Sequence, residues 1–376
     1  MLTFRRVSLV VFCILAVLFC FSDSEKKRKL DAIEARIKES KTLSESLINE
    51  YARVGDEQNR VLQQEIQRLD KERKLLELRL QEVRKLSDAS STVAEQLDFL
   101  VPYRVDQKFP AFIWQTWKND LNDAKLNPEI RSYIQSWDTV NANFVHEVLN
   151  DRNAEKLVKH LYKNIPKVVQ AYQAMPTPIL KADFFRYLIL FARGGVYTDA
   201  DTEALKPVPN WFPNWLNADD AGLVVGVEAD PDRPDWAQWY ARRLQFCQWT
   251  IQAKPGHPVL RSIVANITET TLDRKARGEL GLAPGSEEGA DIMNWTGPGI
   301  WTDMLFEYFN SVAAEPVTYE TFSKRETGTF VGDVLVLPIT SFSPGVGHMG
   351  SKSVSDPMAF VQHHFSGSWK PEAERM

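Results

Sequence analysis

The stretch Lys181-Ala182-Asp183-Phe184-Phe185-Arg186-Tyr187, running on to Gly194-Gly195-Val196-Tyr197-Thr198-Asp199-Ala200-Asp201-Thr202, decides the fold. Residues 178–192 are strongly apolar and long enough for a helix. Asp183 and Arg186 stand one turn apart, which puts both on one helix face. Gly194-Gly195 ends the helix, because glycine takes the positive φ of a C-cap without steric cost. Val196-Tyr197-Thr198 is β-branched and aromatic, a short strand, with Asp199 and Asp201 at its end. Where the backbone is still extended, residues i and i+2 share a face. Two carboxylates so placed can hold one divalent cation, with oxygen ligands suited to Mg²⁺ or Mn²⁺. The carboxyl end of a strand in an α/β sheet is also where ligands bind. Local chemistry alone gives the same residues a second reading, a helix C-cap followed by an acidic turn.

Asp-x-Asp by itself is a weak pattern. A second copy, Asp230-Pro231-Asp232, lies among prolines and reads as a solvated turn. What sets the first copy apart is its surroundings. In these, the segments Ala182–Tyr187 and Gly194–Thr202 resemble the sugar-binding region of the Asp-x-Asp glycosyltransferase family, and within it the fungal Golgi initiation-specific α-1,6-mannosyltransferases. The resemblance extends over most of the chain from Phe109 to Lys370. It implies a Rossmann-like α/β domain of glycosyltransferase-A fold. Asp183 and Arg186 would hold the donor sugar, and Asp199 and Asp201 a metal, Mn²⁺ or another divalent cation, with the nucleotide diphosphate. It further implies a retaining transfer of mannose from GDP-mannose to an N-linked oligomannose core. Two other readings stay open: a different sugar transferase, for example one acting on a sphingolipid head group, and a non-catalytic Golgi assembly subunit.

The chain has 376 residues, 44% hydrophobic and 25% charged, with a formal net charge of −5. The balance is ordinary for a globular protein, and nothing in it points to a nucleic-acid partner. Of three cysteines, Cys13 and Cys20 lie in the N-terminal apolar run, which leaves Cys247 as a buried small hydrophobe. Residues 1–6 read as a cytosolic tail and 7–21 as an uncleaved signal anchor, with a cleaved signal peptide as the other reading. Lys26-Lys27-Arg28-Lys29 outnumber Arg5-Arg6, and a literal positive-inside count puts the C-terminus in the cytosol. The sequons Asn266-Ile267-Thr268 and Asn294-Trp295-Thr296, together with the resemblance, favour a lumenal catalytic domain of a type II Golgi membrane protein. Residues 22–100 form a helical stem and linker. Leu47, Tyr51, Val54 and Val61, then Ile66, Leu69, Leu76, Leu80 and Val83, fit two heptad phases that do not join, with a break near Gly55. Such a stem pairs with itself or a partner, or stands alone as a charged spacer.

The catalytic domain then covers 101–376. Phe109–Trp114 reads as its first strand, 128–137 as a helix, 143–148 as a second strand, and Asn150-Asp151 as a cap on a helix over 152–162. The resemblance makes Trp117, just past the first strand, a stacking partner for the nucleotide base; packing is the plain alternative. Thr296–Asp303 opens a helix whose Gly299 and Asp303 match the acceptor side of the family. Trp236, Trp239 and Tyr240 are either sugar platforms or core. Pro255-Gly256-His257-Pro258 reads as a turn into a helix. In His363-His364-Phe365-Ser366-Gly367-Ser368-Trp369-Lys370, the resemblance assigns His364 as the third metal ligand and Ser368, Trp369 and Lys370 to the diphosphate.

Overall fold

The computed structural model describes residues 23–86, 91–118, 120–123, 126–212, 217–231, 233–281 and 288–367. The apolar run 7–21 and Ser368, Trp369 and Lys370 lie outside them. Among the described residues no helix is long and apolar enough to cross a membrane. The chain divides into a unit ending at Arg84 and a compact unit from Lys85 onward.

The first unit consists, among the described residues, of α1, Asp23–Leu86, a single helix of 64 residues whose last two lie past Arg84. It does not break at Gly55. One glycine costs about 1 kcal/mol in a helix. Ion pairs one turn apart offset that cost: Arg60–Glu57, Arg68–Glu65, Arg73 with Asp70 and Glu77, and Lys74–Asp70. Leu47, Tyr51, Val54, Val61, Ile66, Leu69 and Leu76 are exposed along it.

The second unit begins before Val101. Thr92 and Glu95 form a capping box, with Thr92 N donating to Glu95 Oε2 at 2.8 Å and Glu95 N to Thr92 Oγ1 at 3.2 Å. They start α2, Val93–Leu100, which sends Val93 and Leu97 into the core. Then come β1, Phe112–Trp117, α3, Pro128–Val140, β2, Val145–Asn150, and α4, Asp151–Leu161. Next are α5, Pro166–Ala174, α6, Pro178–Arg193, β3, Gly195–Thr198, and β4, Thr202–Ala204. Beyond them lie β5, Leu223–Ala229, β6, Gln245–Phe246, β7, Thr250–Ala253, α7, Pro258–Arg277, and α8, Glu288–Trp295. The last elements are α9, Pro298–Val312, β8, Thr329–Val331, β9, Val334–Leu337, α10, Ile339–Phe342, and β10, Val361–His363. β1 starts three residues later than the sequence suggests, past Pro110, and so takes in Trp117 as its last residue.

The main sheet runs β2-β1-β3-β7-β5-β9-β8, with β6 beside β5; β10 and β4 form a separate pair. β1 lies parallel to β2 and β3, and β5 parallel to β9, while β7 runs antiparallel between β3 and β5. This is a mixed α/β sheet whose first three strands have the Rossmann-like order. α6 is its central buried helix: Phe184, Phe185, Tyr187, Leu188, Ile189, Leu190 and Phe191 are all buried. A helix apolar on every side belongs inside. Gly194, at φ 63°, turns the chain from α6 into β3, where a Cβ would meet the Ala253 carbonyl oxygen at 2.7 Å. Asn127, Asn150 and His257 cap α3, α4 and α7, and His257 and Cys247 are both fully buried.

The placement of α2 predicts a sharp boundary. A fragment from Ser91 onward folds with the stability of the compact unit. One from Val101 onward loses the burial of Val93 and Leu97, about 3–6 kcal/mol at roughly 1.5–3 kcal/mol per aliphatic side chain. Urea unfolding of the two fragments measures the difference.

Candidate active site

β3 does not stay extended through its acids. Asp199 N donates to Trp249 O at 2.9 Å, and the chain then turns so that Thr202 N meets Asp199 O at 3.1 Å. Thr202 Oγ1, at 2.6 Å, and Gln115 Nε2, at 3.1 Å, donate to the same carbonyl. Asp199 and Asp201 therefore approach each other across a pinned turn rather than along one face of a strand.

Behind them lies a buried ion cluster. Arg186 Nη1 pairs with Asp183 Oδ1 at 2.6 Å and Nη2 with Asp199 Oδ1 at 3.1 Å. The guanidinium lies 5.2 Å from the Tyr197 ring centroid, and the Tyr197 hydroxyl donates to Asp199 Oδ1 at 2.9 Å. Asp183 also accepts from Thr296 Oγ1 at 3.0 Å and Gln248 Nε2 at 3.3 Å. Asp183 is 1% exposed and Arg186 3%, so neither charge is solvated except by these partners. Burial pushes the Asp183 carboxyl up to about 6 against the pull of Arg186. Burial also raises Asp199, helped by Asp201 and opposed by Arg186.

Asp201 behaves the other way. Burial alone would raise it, but His363 and Ser366 outweigh burial and hold it well below the usual carboxylate range. Ser366 donates to Asp201 Oδ2 from N at 3.1 Å and from Oγ at 2.7 Å, and His363 Nε2 lies 3.2 Å from Oδ1. Phe365, at φ 48°, makes the bend that brings Ser366 back. The imidazole is that of His363, not His364. β10 pairs His363 with Thr202 of β4, and successive strand side chains point to opposite faces. His363 stacks on Trp249 at 4.5 Å, while His364 stacks on Tyr133 at 3.8 Å and reaches Glu203 Oε2 at 3.1 Å.

The ligand atoms of Asp199, Asp201 and His363 all lie within 4.8 Å of one another. Asp183 and Asp199 share one guanidinium and Asp201 adds a third carboxylate beside them, so the cluster with all three ionised carries an excess of two negative charges. Nδ1 of His363 is buried with no hydrogen-bond partner. Two carboxylates, an imidazole and that charge imbalance fit a divalent cation.

The other residues singled out from sequence fall differently. Trp117 ends β1, half-buried against the cluster of Leu126, Ile130, Ile134 and Ala200 beside the acidic turn. Asp303 is committed to Arg242, whose Nε donates to its Oδ1 at 2.6 Å, rather than presented to an acceptor. Gly299 is buried in the first turn of α9, where a Cβ would meet Met293 O at 2.8 Å. The start of α9 touches the cluster through Thr296 instead. Sequence reasoning missed Thr296, Tyr197, Gln248 and Ser366. Tyr197 sits inside the decisive stretch, but the others reach the site only by long-range packing.

Asp201 contributes stability above its unfolded value, near 3.8, and that stability is lost as pH falls through it. In metal-free protein, Asp201→Asn therefore narrows the gap in unfolding free energy between pH 5 and pH 3 by about 1 kcal/mol. Denaturant titrations at the two pH values check this; an unchanged gap would place the Asp201 carboxylate in solvent.

The family described as "Glycosyltransferase sugar-binding region containing DXD motif" matches residues 128–218. The chain is 50% identical over 305 residues to the initiation-specific alpha-1,6-mannosyltransferase of Candida albicans, covering 76% of this chain and 79% of that one. The Schizosaccharomyces pombe protein of the same name is 48% identical over 277 residues, 73% of this chain and 67% of its own length. That of Saccharomyces cerevisiae is 36% identical over 406 aligned residues, covering 78% and 85%. At this identity and coverage, the chain belongs to the Asp-x-Asp glycosyltransferase family and, within it, to the group of the fungal initiation-specific α-1,6-mannosyltransferases.

Proposed function

We propose that this chain transfers mannose, with retention, from GDP-mannose to an N-linked oligomannose core, making the α-1,6 linkage that starts an outer chain. The observation that carries the reading is the meeting of Asp199, Asp201 and His363 in front of the buried Arg186–Asp183 pair. A divalent cation, Mn²⁺ in this reading, would be held by Asp199, Asp201 and His363 and supply Lewis-acid neutralisation of the leaving diphosphate. Arg186 fixes Asp199 from behind and, with Asp183, binds the donor sugar. Both are already desolvated, so their charges need no reorganisation during the reaction. In this reading Trp117, beside the acidic turn, stacks on the base, and Ser368, Trp369 and Lys370 are the groups the family resemblance assigns to the diphosphate. The bond from C1 of mannose to the phosphate oxygen breaks with its electron pair leaving on GDP. The acceptor hydroxyl oxygen bonds to C1 on the same face, and its proton passes to the departing phosphate oxygen. In this reading residues 7–21 anchor the protein in the Golgi membrane, type II, with the catalytic unit lumenal. The unpartnered apolar residues of α1 would pair with a second stem.

With the fragment from Ser91 onward, transfer from GDP-mannose to a high-mannose N-glycan requires Mn²⁺ and stops with chelator. Activity that survives chelation would sink the metal reading. His363→Ala lowers kcat/KM by about 10²-fold or more, the scale for losing one electrostatic group at a reacting centre. His364→Ala, which removes a stacking contact with Tyr133, stays within a few-fold. Equal losses in the two variants would reverse the assignment.

Arg186→Lys keeps the charge but loses the planar fork that reaches two carboxylates. It lowers kcat by about 10²-fold while the protein still melts cooperatively. An unchanged kcat with a lowered melting temperature would make Arg186 purely structural.

A further inference from the structure

Asp230, the first acid of the second Asp-x-Asp, is not solvated. Asp230 follows the last residue of β5 and is 6% exposed. Its carboxylate accepts from Arg243 Nη1 at 3.1 Å, Ser323 Oγ at 2.8 Å and Lys324 N at 2.9 Å. These bonds tie the end of β5 to the segment 323–324, about 90 residues further along, and buried polar groups fully satisfied in this way rigidify what they join. Beside this tie lies a cavity of about 880 Å³, lined by Val227 and Asp230 of the β5 end and by Trp239, Tyr240, Arg325 and His348 among others. That volume is within the range of ligand sites, roughly 300–1,000 Å³.

Two features point to what it takes. The first is chemical. Trp239 is 62% exposed, more than any other large hydrophobic side chain described in the compact unit. Arg233 lies over its ring at 5.4 Å. An aromatic surface left open beside guanidinium and imidazole donors suits a flat apolar ring face edged with hydroxyls, which is the chemistry of a hexose.

The second is position. β7 is antiparallel to both β3 and β5, so those two strands run the same way and their carboxyl ends share one edge of the sheet. Val196 of β3 and Val224 of β5 both pair with Gln252. Val227, in the cavity lining, lies three residues past Val224 toward that edge, as Asp199 lies three past Val196. β5 and β3 are two strand spacings apart in the sheet, roughly 10 Å. The cavity is thus on the ligand-binding edge, beside the carboxylates yet too far away to be part of the metal cluster.

We infer that this cavity is a subsite for the acceptor oligosaccharide, holding sugar residues beyond the one that receives mannose, with Trp239 as stacking platform and Asp230 as the tie that shapes it. The inference rests on the glycosyltransferase reading for the identity of its ligand. It places acceptor recognition at the β5 edge rather than at Gly299 and Asp303.

The test uses the full-length protein with a high-mannose N-glycan and, separately, methyl α-mannoside, which is too short to span from the metal cluster to the cavity. Glycan affinity is measured directly by titration calorimetry in the presence of GDP and Mn²⁺, and KM values are measured for both acceptors and for GDP-mannose. Trp239→Ala weakens glycan binding and raises glycan KM by tenfold or more. It leaves KM for methyl α-mannoside and GDP-mannose within two-fold, and Trp239→Phe recovers part of the loss. Arg325→Ala acts in the same direction as Trp239→Ala. Glycan affinity unchanged in both alanine variants, with melting temperatures intact, overturns the inference even if mannose transfer is normal. Tight glycan binding lost in Trp239→Ala, in a wild-type protein that transfers no mannose, supports the subsite and removes the transfer reading instead. A wild-type protein that binds no glycan overturns the subsite.

Discussion

The structure depends on one buried cation. Arg186 reaches Asp183 on its own helix and Asp199 past the end of the next strand. A lone guanidinium in the core would be prohibitively costly to desolvate, and breaking a buried pair typically costs about 3–5 kcal/mol. That penalty couples several choices in the chain. α6 must end where Gly194 ends it, β3 must be short, and the turn after Thr198 must aim Asp199 backward. Thr296 and Gln248 satisfy what remains of Asp183, and so draw the start of α9 and the strand region before β7 into the same network.

From this anchor the site is asymmetric. Asp199 is held from behind by Arg186 and Tyr197, whereas Asp201 is held from the front by the C-terminal segment through His363 and Ser366. The two acids consequently move in opposite directions from their ordinary acidity, Asp199 up and Asp201 down. The C-terminal segment is thus part of the site, and β10 pairing with β4 sets which histidine faces the acids. The same edge of the sheet carries the cavity at the end of β5, two strands away from the acids that follow β3.

Much of this is legible in the sequence. Asp183 and Arg186 at helical spacing, the Gly-Gly break and the acids beyond a short strand were all read from local pattern, because each depends on neighbours within a few residues. The failures share a cause. Choosing His364 over His363 required the register of two three-residue strands far apart in sequence. Asp230 reads as solvated, and Asp303 as an acceptor-side group, because Arg243, Ser323 and Arg242 are supplied only by tertiary packing. The helix start at Thr92 is a local signal too, since its capping box needs only residues three apart. Gly55 was overweighted, since i,i+3 and i,i+4 ion pairs carry the helix through it.

The central claim is that Asp199, Asp201 and His363 form one metal centre. Electron spin-echo measurements on Mn²⁺-loaded protein detect a directly bound imidazole nitrogen. The account predicts nitrogen coupling in the wild type and in His364→Gln, and its loss in His363→Gln. Coupling that persists in His363→Gln and vanishes in His364→Gln would contradict it.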